Sequence, residues 1–502
     1  MPTPAKASAT SQASKLATSA PYLVVFILIC LVWGWHVQFL GIGMIRHFDE
    51  FYTYERSISF ARMDDWWAVY SANKPTLKKP PMQYWMIGGL FELGLRDVIA
   101  LRLPSMIFAA FTLGATALLA RSVAPGKPWV MVGAVLLLAS SQTFWDDATS
   151  AMLDVGAALF VTLGLIAMLA AFRDPRYWPV FALTVFLGGM QKGPIALAFL
   201  VFALLALAIT APLQTRRIRE IVWNRRFFGW FFVSLVLAFA WQLYMGLRFP
   251  GEDAIQGSIE NEMFERFAPT ADKIGAYSLA EFQRLILGRE PWLRTLGIIG
   301  LIALPFTSRN PLLLSLTGVV LIFILVMMIS TEQVYPRYML VVLPLLAVGL
   351  AAFLATILRS DFAGLVASIA LCFLFGGPLT SADRLDLDPA NRDGVSYADI
   401  MTPVRENLKP DEALLICEMD QKMRFPRGAY TVYAAGTGPI TRLRDLDVAD
   451  ALARENYTGG PIRGLCTQGE LGQIQDQMRE VETTPLLGGH IQFTAAGLAT
   501  DG

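Results

Sequence analysis

Residues 21–45 read PYLVVFILICLVWGWHVQFLGIGMI, with no acidic residue, lysine or arginine. A secretory signal carries an apolar stretch of roughly 7–15 residues, whereas crossing a bilayer as a helix takes roughly 20. The run therefore reads as an uncleaved membrane helix. Ten more apolar runs follow, at about 103–120, 129–144, 155–172, 177–191, 194–211, 229–247, 292–306, 311–330, 338–357 and 362–379. Gln191-Lys192-Gly193-Pro194 divides two of them. Gly-Pro is a turn signal, and the joined stretch is too long for one span. The expectation is a polytopic α-helical membrane protein of about 11 transmembrane helices.

Composition agrees. Of 502 residues 55% are apolar and only 16% charged, against roughly 25% charged in soluble domains, and the mean hydropathy is +0.48. That excludes a single soluble domain and a disordered chain. The 41 Lys+Arg balance 41 Asp+Glu, which speaks against a nucleic-acid partner. Four cysteines exclude a disulfide-rich scaffold.

Loop charge sets the expected orientation. With the N-terminus inside, the inner segments hold Lys6, Lys15, Arg121, Lys127, Arg173, Arg176, the run Arg216, Arg217, Arg219, Arg225, Arg226, then Arg309 and Arg359. Only Asp174, Glu220 and Asp361 oppose them. The two long outer loops, 46–102 and 248–291, carry nearly balanced or net acidic charge. An odd span count puts the C-terminus outside. Residues 380–502 are charged, turn-rich and have no spanning run. Ala413–Cys417, Tyr430–Ala435 and Ile491–Thr494 look β-like, and Leu446–Glu455 and Glu470–Glu480 look helical. The layout is a cytoplasmic tail (1–20), a membrane domain (21–379) with a large first outer loop, and a small extracytoplasmic α/β domain (380–502).

Chemistry concentrates in the first outer loop. It holds Asp49-Glu50, then Asp64-Asp65-Trp66-Trp67, then Lys78-Lys79-Pro80-Pro81-Met82-Gln83-Tyr84-Trp85, and ends at Arg102-Leu103-Pro104-Ser105. Adjacent acids at the mouth of a span are costly unless solvated or used. Trp66, Trp67, Tyr84 and Trp85 suit an interfacial aromatic belt. Asp146 and Asp147 read as loop solvation. His36, His47 and His490 are too scattered for a metal site. His36, inside an apolar run, reads as a packed or hydrogen-bonded helix residue. Cys417 and Cys466 share the outer domain, where an oxidising compartment permits a bridge.

This first-loop set, followed by Met152-Leu153-Asp154, Lys192-Gly193-Pro194 and Pro336-Arg337-Tyr338 ahead of Leu343-Pro344, resembles the polyprenyl-phosphate-sugar-dependent glycosyltransferases of the GT-C superfamily. Within it, the pattern is similar to the bacterial lipid A aminoarabinose transferases and the protein O-mannosyltransferases. The likeness spans about residues 45–350, with Lys78 standing where the family often has Glu. The resemblance implies an inverting hexosyl- or pentosyltransferase of the bacterial inner membrane, active on the outer face. Its donor would be a sugar on a polyprenyl phosphate, and its acceptor a hydroxyl on an envelope glycolipid, glycan or protein. It implies no cofactor and no catalytic metal. Asp49 is then the candidate base, with Glu50 as its neighbour. Lys79 and Arg337 are candidates for the phosphate, with Arg102 and Lys192 behind them. Asp154 and Tyr84 are candidates for sugar or acceptor contacts. The alternative is a secondary transporter or lipid-linked sugar flippase. Against it stand the absence of an internal repeat and the position of the acids in outer loops.

Overall fold

The computed structural model describes residues 4–40, 48–71, 74–95, 98–210, 225–251, 285–288, 290–308, 312–330, 336–376, 403–404, 406–409, 412–419, 440–443, 446–453 and 457–499, with positions 212, 220 and 283. Helix α1 (Pro4–Val37) begins ahead of the apolar run and carries it. The stretch after it folds into α2 (Phe48–Met63), an antiparallel pair of two-residue strands, β1 (Tyr70–Ser71) and β2 (Lys74–Pro75), and α3 (Met82–Glu92). Then come α4 (Val98–Val123), α5 (Trp129–Ala139), α6 (Gln142–Ala148), α7 (Asp154–Ala171), α8 (Trp178–Lys192) and α9 (Pro194–Ile209). Apolar helices follow at Arg225–Ala238, Ala240–Arg248, Pro291–Ser308, Leu312–Ser330, Leu343–Ile357 and Asp361–Phe375.

Where they are described, the apolar runs of the sequence fall mainly on helix. Among the described residues, Ser19–Val37, Val98–Val123 and Asp154–Ala171 are long and apolar enough to cross a bilayer alone. The pair Arg225–Ala238 and Ala240–Arg248 makes a fourth with a 45° bend. The run at 129–144 is shorter than expected. It stops at Ala139, because Ser141 caps a new helix, its hydroxyl accepting the Phe144 N–H at 3.1 Å. Polar side chains inside the bundle are satisfied locally, as lipid requires. Thr112 and Thr116 donate to the carbonyls four residues back, each at 2.7 Å. His36 is buried, with Nδ1 at 2.8 Å from the Val32 carbonyl and its ring stacked on Trp145 at 3.7 Å. Of the three helices long enough to cross alone, α7 is the most enclosed, and it packs against α4 and α8.

The C-terminal part forms a mixed five-stranded sheet. In chain order the strands are β3 (Ala413–Cys417), β4 (Ile440–Leu443), β5 (Ile462–Thr467), β6 (Met478–Arg479), β7 (Glu482–Pro485), β8 (His490–Ala495) and β9 (Gly497–Leu498). The sheet order is β4-β3-β5-β8-β7, parallel through its first three strands and antiparallel after that. A short helix, Val448–Ala453, matches the helical reading at 446–455. The reading at Glu470–Glu480 does not hold. A capping box from Thr467 to Glu470 starts a helix, but it ends at Leu471 before Gly472, and Met478–Arg479 pairs with β9. The β-like reading at Tyr430–Ala435 lies outside the described residues.

Side chains alternate along β3, so the sheet has two apolar faces. Leu414 and Ile416, with Leu465 of β5, pack on Phe51, Tyr54, Ile87 and Phe91 of α2 and α3. Ala413, Leu415 and Cys417 turn into the domain's own core. The Arg442 guanidinium lies 4.3 Å from the Phe51 ring centroid and pairs with buried Glu418 at 2.6 Å. The sheet thereby clamps the helix that begins with Asp49-Glu50.

Cys417 and Cys466 are bridged, joining neighbouring parallel strands with Cα atoms 4.9 Å apart. Closing a loop of 49 residues restricts the unfolded chain and is worth about 2–4 kcal/mol. Thiol reagents should leave both residues unmodified in unreduced, folded protein, with reaction at both after reduction. Cys417→Ser with Cys466→Ser should lower the unfolding midpoint of the detergent-solubilised chain. Labelling of either residue without reductant would contradict the bridge.

Candidate active site

Asp49 and Glu50 both sit in the first turn of α2, where negative charge suits the helix dipole. Successive helical residues are about 100° apart around the axis, so two adjacent acids face different surroundings. Glu50 turns inward and is fully buried. Its Oε1 accepts from Arg102 Nε at 2.7 Å and from the Ala151 N–H at 3.1 Å. Arg102, also fully buried, donates from Nη1 to the Leu40 carbonyl at 2.9 Å. One ion pair therefore ties α2 to α4, to the end of the first span and to the loop before α7. Asp49 turns outward with half its side chain exposed. Its Oδ2 accepts from Arg337 Nη2 at 2.6 Å. Arg337 arrives from a 3-10 turn, Pro336–Val341, ahead of the helix that begins at Leu343.

Two lysines reach the same carboxylate. Burial tends to raise the Asp49 carboxyl, but the charges of Arg337, Lys192 and Lys79 outweigh it and hold the group below its ordinary value. Asp49 is thus ionised across the neutral range. Lys79 leads into Pro80-Pro81, the second of which sits at the N-cap of α3. Lys192 ends α8 and pairs with Asp154, the first residue of α7. Gly193 makes this convergence possible. Its φ of +56° turns the chain from α8 into α9, and a Cβ there would stand 3.3 Å from the Pro80 ring. The Lys-Gly-Pro and Lys-Pro-Pro motifs are packed against each other.

Below this cluster lies a polar network that the sequence reading passed over. Gln83 Nε2 donates to Ser105 Oγ at 2.9 Å and to the Met152 carbonyl at 3.3 Å. Gln191 Nε2 donates to Gln83 Oε1 at 2.7 Å and to the Leu153 carbonyl at 3.2 Å. Ser105 donates to the Met152 carbonyl at 3.0 Å. Gly156 leaves room for Gln191, since a Cβ there would fall 2.4 Å from its Nε2. A glutamine inside an apolar helix was the available signal, because polar groups at that depth need partners.

Asp147 was read as loop solvation and is the reverse, with 3% of its surface exposed. Burial first, and then the charge of Asp154, push its carboxyl well above the ordinary range; Arg337 and Lys192 offset this only in part. Tyr84 also departs from the aromatic-belt reading. It is fully buried, and its hydroxyl accepts from Arg56 Nη1 at 3.0 Å. Arg56 in turn lies over the Tyr52 ring at 5.0 Å. Trp67 remains exposed, as expected, while Trp85 donates to the Trp66 carbonyl at 2.6 Å. Among the described residues no group of three or more His, Cys, Asp or Glu side chains is placed to hold a metal ion.

Residues 78–242 match the family model for dolichyl-phosphate-mannose-protein mannosyltransferases. In three dimensions the chain is similar to ArnT from Cupriavidus metallidurans bound to undecaprenyl phosphate. That match has a TM-score of 0.68 at 14% identity and covers 95% of this chain and 98% of the other. The apo form of that ArnT gives 0.67 over the same shares at 14% identity. The chain has the GT-C glycosyltransferase fold. An Archaeoglobus fulgidus oligosaccharyltransferase tethered to an acceptor peptide also matches, with a TM-score of 0.53 at 12% identity over 97% of this chain and 75% of that one. No curated protein matches in sequence. At these identities the likeness is one of fold, and the residues that decide chemistry must be read from this chain.

Within this GT-C frame, Asp49, Lys79, Lys192, Arg337 and Asp154 come together, from the stretch around α2 and α3, from α7 and α8, and from a turn more than 280 residues away in sequence. Glu50, Arg102 and Tyr84 lie beside them in buried pairs. Glu50→Ala should destabilise the fold by about 3–5 kcal/mol, since it leaves the Arg102 charge buried and uncompensated. Adding Arg102→Leu should recover part of that loss. The check is the thermal unfolding midpoint of each variant; a double variant less stable than the single would refute the pairing energetics.

Proposed function

We propose that this chain transfers a sugar from a polyprenyl-phosphate donor to a hydroxyl acceptor, with inversion, at the outer face of a bacterial inner membrane. The observation that carries the reading is the Asp49 carboxylate standing among Arg337, Lys192 and Lys79. A base beside a cluster of cations is what the reaction needs. The acceptor hydroxyl attacks the anomeric carbon while Asp49 takes its proton. The bond from that carbon to the phosphate oxygen breaks, and the lipid phosphate leaves with the electron pair. Lys79 and Arg337 hold the phosphate, where charge in a partly water-excluded site counts most. One displacement inverts the anomeric centre. Asp154, kept in place by Lys192, contacts sugar hydroxyls.

Glu50 and Arg102 act through α2, fixing the direction in which Asp49 points, and Tyr84 does the same through Arg56. The Arg337–Asp49 pair links the two halves of the reaction. A phosphate competes with Asp49 for the guanidinium, so donor binding relieves the depression of the Asp49 carboxyl and makes it a better base when the donor is present. The membrane part is taken as 21–379 with eleven crossings, between a cytoplasmic tail (1–20) and an extracytoplasmic C-terminal domain (380–502). Envelope glycolipid, glycan or protein would supply the acceptor.

A deletion strain, examined by mass spectrometry of its envelope glycolipids and glycoproteins, should lose one sugar mass that the parent gene restores. Asp49→Asn should not restore it, with a rate loss of about 10²–10⁴, and should still bind undecaprenyl phosphate. Lys79→Ala should weaken that binding. Restoration by Asp49→Asn at the parent level would remove Asp49 from the base role. Binding of undecaprenyl phosphate unchanged in Lys79→Ala would remove the phosphate assignment.

Orientation has its own check. Reporter fusions after Arg217 should read cytoplasmic, and fusions after Ala271 and Gly438 external. A cytoplasmic signal after Gly438 would overturn the eleven-crossing arrangement.

A further inference from the structure

Asp147 has no part in the reaction as described, yet the fold takes trouble to place it. Its helix, α6, is started by Ser141 and held at that end by Glu290, which accepts from the Ser141 hydroxyl at 2.9 Å and from the Thr143 N–H at 2.8 Å. Trp145, one turn along, is stacked on His36 of α1. The helix packs against α4, α7 and the turn that bears Arg337. The Asp147 carboxyl is buried, and its Oδ2 has no hydrogen-bond partner among the described residues. A buried polar atom without a partner is destabilising, so the fold keeps this one at a cost.

The groups that face it are those of the candidate site. α7 contributes Asp154, α8 contributes Lys192, the 3-10 turn contributes Arg337, and α6 itself contributes Asp146. α5 has no titratable side chain, and the α4 cation on this side, Arg102, is paired with Glu50. Charge counting decides what Asp147 must be. Lys79, Lys192 and Arg337 against Asp49, Asp154 and Asp146 balance. An ionised Asp147 would leave the group net negative and work against a bound phosphate.

We propose that Asp147 is a further phosphate-binding residue, a carboxylic acid that keeps its proton and donates it from Oδ2 in a hydrogen bond to the polyprenyl phosphate. This rests on the phosphate site proposed above and deepens it. Burial and the neighbouring Asp154 carboxylate both favour the neutral form, and the neutral form is the one that can donate. The raised value also sets the sign of the pH dependence. Asp147 supports binding while protonated, and that support is lost as pH rises through its value in the folded protein. The second ionisation of a free phosphate monoester, near pH 6, acts in the opposite direction, because a dianion is drawn more strongly to the three cations.

The probe is undecaprenyl phosphate, with its affinity for the intact detergent-solubilised protein measured between pH 5.5 and 9. As pH rises through the Asp147 value the parent should lose affinity by about tenfold, the size expected for one added charge a few ångströms from a partly screened phosphate. Asp147→Asn keeps a donor and cannot ionise, so its affinity should match the parent within about threefold at pH 6 and hold or rise with pH. Asp147→Ala should bind more weakly than the parent at pH 6 and should also lack the alkaline loss. The lysines and Arg337 are common to all three proteins, so differences between the curves report on Asp147. Affinity in Asp147→Asn far below the parent's at pH 6 would overturn the proposal, as would full affinity in Asp147→Ala at that pH; the phosphate site itself would survive either result. A parent that does not bind undecaprenyl phosphate at any pH would overturn the phosphate site and this inference with it.

Discussion

The Glu50–Arg102 ion pair is wholly buried, and the geometry of the site depends on it. Four segments meet there: the end of the first span through Leu40, the start of α2, the second turn of α4 and the backbone of Ala151. Two charges out of water are tolerable only when each is paired and further hydrogen-bonded, and both are. The result is a fixed N-terminus for α2. Asp49, one residue earlier, is thereby presented to the opening and not to the bundle.

Everything else in the cluster is arranged around that fixed point. The Gln83–Gln191–Ser105 network holds α3, α4, α7 and α8 together just beneath it, with Gly156 leaving the space that Gln191 occupies. Gly193 brings Lys192 and the Lys79-Pro80-Pro81 stretch side by side. Each connection fastens the root of a charged side chain, so the cations are held near Asp49 by packing and not by mutual attraction alone. The C-terminal sheet adds a lid of apolar contacts from Leu414, Ile416 and Leu465 onto the far side of α2. A disturbance of that sheet would therefore reach Asp49 through Phe51 and Tyr54.

Much of this was legible in the sequence because apolar runs mark helices and Gly-Pro turns mark their ends. Among the described residues the apolar runs fall mainly on helices, and the Gly-Pro break at 193–194 separates α8 from α9. Lys79, Lys192, Arg337, Asp49 and Asp154 were singled out from outer-loop motifs, and they do converge. Cys417 and Cys466 stood as possible partners, and only the pairing of β3 with β5 brings them together. The helix expected at 470–480 failed because strand pairing with Gly497–Leu498 outweighs local helical pattern.

What the sequence alone determined is which segments are apolar and which residue types gather in the motifs between them. Those follow from composition and order along the chain. What the tertiary structure decided is which of those residues face one another. Asp49 and Glu50 are neighbours in sequence, yet one is half exposed and the other fully buried, because a helix turns them about 100° apart. Arg102 and Tyr84 look like site residues in a motif, but their partners are Glu50 and Arg56. Asp147 looks like a solvated loop residue, but packing of α6 against α4, α7 and the Arg337 turn takes it out of water. Burial of a charged group is a property of its neighbours in space, and no local pattern encodes it.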